Sequence, residues 1–247
     1  MEDYRLSHAK QGYGEHYADS YQRPYKALSF SVEKQILDAI AARLPGGKAS
    51  AYLDFASGTG RIIGHMSRYG KKCIGVDISE EMLAVARRDV PNAVFFSGDI
   101  SSDSQLHAVI QGNGPFDLIT SFRFFLNAQH ELRVAILRAL APLLSSDGTF
   151  IFNIHKNRSS IFWMYRWLRN EMGRRPSESI SYGYMHRILR ESGFEIKRVT
   201  GYMFLPYGLS LRMPAWWYRA ELIFGRLPIL RQLGHSMIYE IRLRGRR

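Results

Sequence analysis

Three carboxylates stand at the ends of short apolar runs, and small residues follow or precede each of them. Asp54 closes the run Tyr52-Leu53-Asp54-Phe55, which leads into Ala56-Ser57-Gly58-Thr59-Gly60-Arg61. Asp77 closes Cys73-Ile74-Gly75-Val76-Asp77, and Asp99 closes Val94-Phe95-Phe96-Ser97-Gly98-Asp99-Ile100. Ser57, Gly58 and Gly60 let a backbone approach a ligand that a large side chain would hold off. A helix starting near Arg61 adds its own unpaired N–H groups. A carboxylate at Asp54 repels a pyrophosphate but suits a ligand with a cationic end. The acid at the end of the second run, Asp77, suits the two hydroxyls of a ribose and excludes a 2′-phosphate. Further on, His155 ends the run Thr149–His155. It is placed either to take a proton from a nucleophile or to make an ordinary hydrogen bond at a strand end, as Asn153 and Asn157 would. Arg123 is either a surface cation or the holder of an acidic group.

These side chains need parallel strands whose carboxyl ends lie together. The spacing predicts strands at Tyr52–Phe55, Cys73–Asp77, Val94–Ile100, Phe116–Phe122 and Thr149–His155, alternating with helices. Helices are expected at Arg61–Tyr69, after the cap Ser79, around Leu106–Ile110, at Glu131–Leu144 and at Ser181–Glu191. Asp147-Gly148 reads as a turn. Ser31 is expected to cap a helix to Leu44 whose inner face is Ile36, Leu37, Ile40 and Leu44. Tyr13, Tyr17, Tyr21 and Tyr25 make a four-residue repeat, one stripe of a helix that Pro24 would end or kink. Phe194–Phe204 and His235–Arg244 alternate as two late strands.

The ordered set Asp54-x-Ala56-x-Gly58-x-Gly60, Gly75-x-Asp77, Gly98-Asp99-Ile100 and Phe116-Asp117-Leu118-Ile119 resembles the class I S-adenosylmethionine-dependent methyltransferases. The resemblance covers roughly residues 51–205; Ala56 departs from it, standing where glycine is common in the family. It implies an α/β fold: a doubly wound, mostly parallel seven-stranded sheet with the last strand antiparallel, plus helical insertions. It implies S-adenosyl-L-methionine as cofactor. Asp77 would take the ribose, Asp99 the adenine amine, and Ile78 would lie against the adenine. Ala56, Ser57, Gly58 and Gly60 would admit the methionine part, with Asp54 organising that loop or balancing charge. Ile100 and Ser121 belong to the same set. Tyr17 would close over the sulfonium by a cation–π contact, or else simply cover the core. His155 would serve as base for a hydroxyl acceptor; a neutral amine acceptor needs none.

The organisation expected is one domain over 1–247. It comprises an N-terminal helical cap (1–48), a cofactor-binding half (49–155) and substrate-side insertions at 156–180 and 205–234. Both insertions are aromatic and basic. The second suits an interfacial helix on an anionic membrane, a wall around a greasy substrate, or a cap packed on the rest of the chain. The formal charge of +12 draws anionic partners or only a solvated face; a nucleic-acid module pattern is missing. The one cysteine, Cys73, permits no internal disulfide, and with no spanning run or signal pattern a cytoplasmic location is expected. No Cys–His metal cluster is apparent, so no metal is expected. The acceptor is expected to be a small molecule, lipid-like or glycan-linked. RNA or protein methylation, or a non-catalytic binding module, stand as alternatives. A nicotinamide oxidoreductase fits less well, because the G-x-G-x-x-G pattern fails at Ile63.

Overall fold

A computed structural model describes residues 13–168 and 179–245, without the side chains of residues 13, 17, 18, 165–168, 207 and 215. Seven strands form one sheet: β1 (Ala49–Phe55), β2 (Gly70–Asp77), β3 (Val94–Ser97), β4 (Phe116–Ser121), β5 (Leu144–His155), β6 (Phe194–Tyr202) and β7 (Ser236–Leu243). Their order is β3-β2-β1-β4-β5-β7-β6, with β7 antiparallel to both its neighbours and the other ladders parallel. The expected sheet is therefore present. The chain leaves β1 toward β2 on one side and returns to β4 on the other, so the crevice of a doubly wound sheet falls between β1 and β4.

Alternation along β1 decides which helices cover which face. Leu53 and Phe55 point into a core with α5 (Ser104–Asn113), α6 (His130–Leu140) and α8 (Tyr182–Glu191), through Leu106, Ile136 and Ile188 among others. Tyr52 points into a second core with α2 (Pro24–Ala41), α3 (Arg61–Met66) and α4 (Glu80–Asp89), through Ile36, Ile63 and Leu83. The remaining helices are α1 (Tyr13–Ser20), α7 (Ile161–Leu168), α9 (Tyr207–Ser210) and α10 (Ala215–Phe224).

Several boundaries differ from expectation. Ser31 caps nothing: α2 already starts at Pro24, whose fixed φ suits the first helical position. Pro24 therefore divides the tyrosine repeat between two helices. Asp147-Gly148 is no separate turn; β5 runs through it with a shift of register against β4. Gly148 is required by close approach, since a Cβ there would stand 2.9 Å from the Phe116 carbonyl oxygen. Ser79 and Ser181 cap as expected, accepting from the N–H groups of Met82 and Tyr184.

Candidate active site

The carboxyl ends of the strands bring the predicted acids to one rim. From β3 across to β5 the sequence along it is Asp99, Asp77, Asp54, Arg123 and His155. One cleft is lined by Asp54, Ala56, Ser57, Gly58, Asp77, Ile78 and Asp99 together with Arg61, Met82, Arg123 and Phe124. Ala56 (φ 55°), Gly58 (φ 54°) and Gly60 (φ 79°) are all left-handed, which turns the loop's backbone toward the cleft. The family's glycine at the position of Ala56 has its explanation here: an alanine pays about 1–2 kcal/mol in that region. Arg123, Lys156 and Met203 are also left-handed; Lys156 and Met203 follow β5 and β6 directly, and Arg123 stands two residues after β4. Four strand ends on one rim thus hold non-glycine residues in a strained conformation, as functional edges often do.

Asp77 holds the loop. Its carboxylate accepts from Gly58 N–H (2.8 Å) and Ser79 N–H (2.9 Å), tying the β1 turn to the start of α4. Asp99 accepts from the N–H (2.9 Å) and hydroxyl (2.6 Å) of Ser101. Beside them Ile78 is 43% exposed, an apolar side chain open to a flat ligand. Ser57 Oγ is buried with no hydrogen-bond partner among the described residues, and it belongs to the cleft lining. An orphaned hydroxyl there fits a ligand that supplies the missing partner.

Asp54 is buried. It accepts from the Thr120 hydroxyl (2.5 Å) and the Ile63 N–H (3.1 Å), and Thr120 in turn meets the Tyr52 hydroxyl at 2.7 Å. Burial pushes its carboxyl up to about 7, against the pull of Thr120 and Arg61. A cation placed in the cleft favours the ionised form, so binding it releases a proton. Affinity for S-adenosylmethionine is expected to rise as pH increases from the ordinary carboxylate range to about 7 and then to level off. Asp54→Asn should flatten that slope; a wild-type profile already flat over this range would contradict the role. The same shift lowers stability as pH rises from the ordinary carboxylate range to about 7, because the folded state holds the proton more tightly.

Not every expected residue faces the cleft. The side chains of Ile100 and Ser121 are buried and outside its lining, and Ile100 belongs to the core beneath it. Gly60 acts as the left-handed N-cap of α3, pressed against Ala86. The side chain of Tyr17 lies outside the described residues; its helix α1 is linked to α4 by the Glu15–Arg88 ion pair (2.6 Å). His155 ends β5 but does not line the cleft. Burial, and then Arg123, Lys156 and His235, push its pKa well down, so its ring is neutral at pH 7.

Glu33 on α2 was not among the expected site residues. It is fully buried and gathers the acceptor side of the rim. It accepts from Arg61 (2.8 Å), Arg123 (3.3 Å), Asn153 (3.2 Å) and the Tyr202 hydroxyl (2.8 Å). Burial pushes the Glu33 carboxyl up, but Arg61, Arg123 and Tyr202 more than offset it and hold it below its ordinary value. Arg61 also lies over the rings of Tyr21 (4.3 Å) and Phe30 (4.5 Å). The signal was present in the sequence: Glu33 is in helical phase with Ile36, Leu37 and Ile40. A carboxylate on an apolar face must be buried, and a buried carboxylate must be paired.

The fold, the three rim acids and the glycine loop define a class I methyltransferase architecture. Residues 53–148 match the family model described as a methyltransferase domain. Over that stretch the chain is similar to the S-adenosylmethionine-dependent methyltransferases, whose cofactor is S-adenosylmethionine. A ubiquinone biosynthesis O-methyltransferase of Xanthomonas campestris is 32% identical over 139 residues, covering 55% of this chain and 54% of that protein. A demethylmenaquinone methyltransferase of Chlorobaculum tepidum is 38% identical over 77 residues, covering 29% and 32%. The chain thus spans about half, or less, of the curated relatives it matches. Magnesium protoporphyrin IX methyltransferase from Synechocystis, solved with bound S-adenosylmethionine, shares the fold with a TM-score of 0.62. Its identity is 16%, covering 99% of both chains.

Proposed function

We propose that this protein transfers a methyl group from S-adenosylmethionine to a small-molecule acceptor. The observation that carries this is the order of charge along the cleft. Acids that suit the ribose and adenine (Asp77, Asp99) come first, then a buried acid that suits a cation (Asp54), then two guanidiniums that suit a carboxylate (Arg61, Arg123). The cofactor presents those same groups in that order. When bound, it supplies a methyl group already activated as a sulfonium substituent.

The chain's part is to orient and to exclude water. Asp77 fixes the loop through Gly58 and lines the cleft where the ribose hydroxyls would lie. Glu33 keeps Arg61 and Arg123 at the end of the cleft next to β5. His155, which ends β5 on the same rim, is the proposed base for a hydroxyl acceptor: its ring is neutral, although burial beside Arg123 and Lys156 makes it a weak base. His155→Ala should then lower turnover by roughly 10²–10⁴-fold with cofactor affinity nearly unchanged. Equal losses in both would show that the histidine only holds the strand end.

The names of the relatives point to phenols and naphthoquinols as a first acceptor panel. The test is formation of S-adenosylhomocysteine with each acceptor. Turnover with one member supports the assignment. Tight cofactor binding with no turnover on any would favour a non-catalytic binding module.

A further inference from the structure

The second insertion carries its polarity inside out. On α10 the one acid of residues 205–234, Glu221, faces inward: it is 1% exposed, accepts from Phe204 N–H at 2.7 Å, and burial raises its pKa. Tyr218 and Leu222 pack beside it on the second core. The outward side holds Trp216 (64% exposed), Ile223 (62%) and Ile229 (79%), with Leu209, Phe224 and Leu227 also exposed. Arg212, Arg219 and Arg226 are exposed among them. An ordinary water-facing helix would place the acid outside and the tryptophan inside.

Topology adds a second observation. β5 and β6 both end on the rim that carries the cofactor loop, and β7 begins there. Both insertions therefore rise from that rim, and Phe162 of the first meets His235 at the end of the second (5.0 Å). All four tryptophans of the chain, Trp163, Trp167, Trp216 and Trp217, lie in these two insertions. Ile161 and Met164 of α7 are exposed as well.

We propose that the outward face of residues 207–229 seats on an anionic lipid bilayer. Three features select a bilayer over a protein partner. The apolar side chains stand exposed on α10 and its flanking turns. The exposed charges among them are all arginines, which matches an anionic headgroup layer and lets long side chains reach it. Tryptophan is the residue that lodges best at the headgroup boundary. Among the described residues no helix is long and apolar enough to cross a membrane, so the contact is peripheral. Because the face shares its rim with the cleft, the acceptor class it serves is an amphiphile with a lipid-soluble tail. That extension rests on the methyl-transfer assignment, whereas the docking itself does not.

The experiment is cosedimentation of the full chain with vesicles, without cofactor. Vesicles of equal phosphatidylglycerol and phosphatidylcholine are compared with pure phosphatidylcholine at low and high salt. Binding is expected to the anionic vesicles only, to weaken with salt, and to shift tryptophan emission to the blue. Trp216→Ser/Ile223→Ser should weaken it at least 10-fold while calorimetric affinity for S-adenosylmethionine stays the same, which shows that the variant folds. No sedimentation of the wild type would overturn the proposal. So would equal binding to neutral vesicles, or full binding by the double variant. Self-association in sedimentation velocity that the double variant abolishes, without vesicle binding, would assign the face to a second copy of the chain instead.

Discussion

Asp77→Ala should lower affinity for S-adenosylmethionine by about 10²–10³-fold. Two effects act together. In the proposed binding mode the carboxylate would accept charge-assisted bonds from the ribose hydroxyls, each worth roughly 1.5–3 kcal/mol. It also accepts from Gly58 and Ser79, so its loss frees the left-handed loop and the start of α4 that frame the cleft. Asp77→Asn separates the two. The amide oxygen still accepts one backbone bond, so the loop is better kept than in the alanine variant while the charge is gone. Asparagine is expected to fall between wild type and alanine. A loss of less than threefold in the alanine variant would place the ribose elsewhere. The reading is a Kd from calorimetry, with circular dichroism confirming that the variant is folded.

Glu33→Ala is expected to destabilise the fold by roughly 3–5 kcal/mol, the usual consequence of removing one partner of a buried ion pair. The side chains of Arg61 and Arg123 are only 12% and 21% exposed, so water does not replace the lost carboxylate. The Tyr202 hydroxyl and the Asn153 amide lose the same acceptor. Urea unfolding measures the loss, and Glu33→Gln should recover part of it by keeping acceptors for Tyr202 and Asn153. The sign with pH follows from the depressed pKa. The contribution of Glu33 is complete above the ordinary glutamate value and disappears as pH falls through its lower folded value. Acid should therefore unfold the wild type along a steeper course than Glu33→Gln. A change under 1 kcal/mol in the alanine variant would mean that the guanidiniums find other anions or water.

The rim acids were legible because parallel strands make position a matter of counting. A carboxylate that ends an apolar run must lie at the carboxyl edge, and three of them in successive runs must lie side by side. Asp54, Asp77 and Asp99 follow from that alone, as does the place of Arg123. What lay beyond reach depended on direction and on distant partners. Ile100 packs in the core and Ser121 is buried, both outside the lining of the cleft. Glu33 is 28 residues from Arg61 and 169 from Tyr202. Only its helical phase with Ile36 and Ile40 announced that it would be buried. Pro24 and Ser31 competed for the start of α2, and the ring that suits a first helical turn prevailed over a serine seven residues further in. Gly148 resembled a turn residue because sequence does not reveal that Leu144 and Phe116 crowd it.

One cleft, from Asp99 to Arg123, is proposed to bind S-adenosylmethionine along its length. Calorimetric titration of the wild-type chain with S-adenosylmethionine, S-adenosylhomocysteine and NADH tests it most directly. Dissociation constants on the order of micromolar for the first two, and no heat for NADH, are the expected result. Binding of NADH alone would contradict the claim, because Asp54 and the left-handed loop would then be accommodating a pyrophosphate.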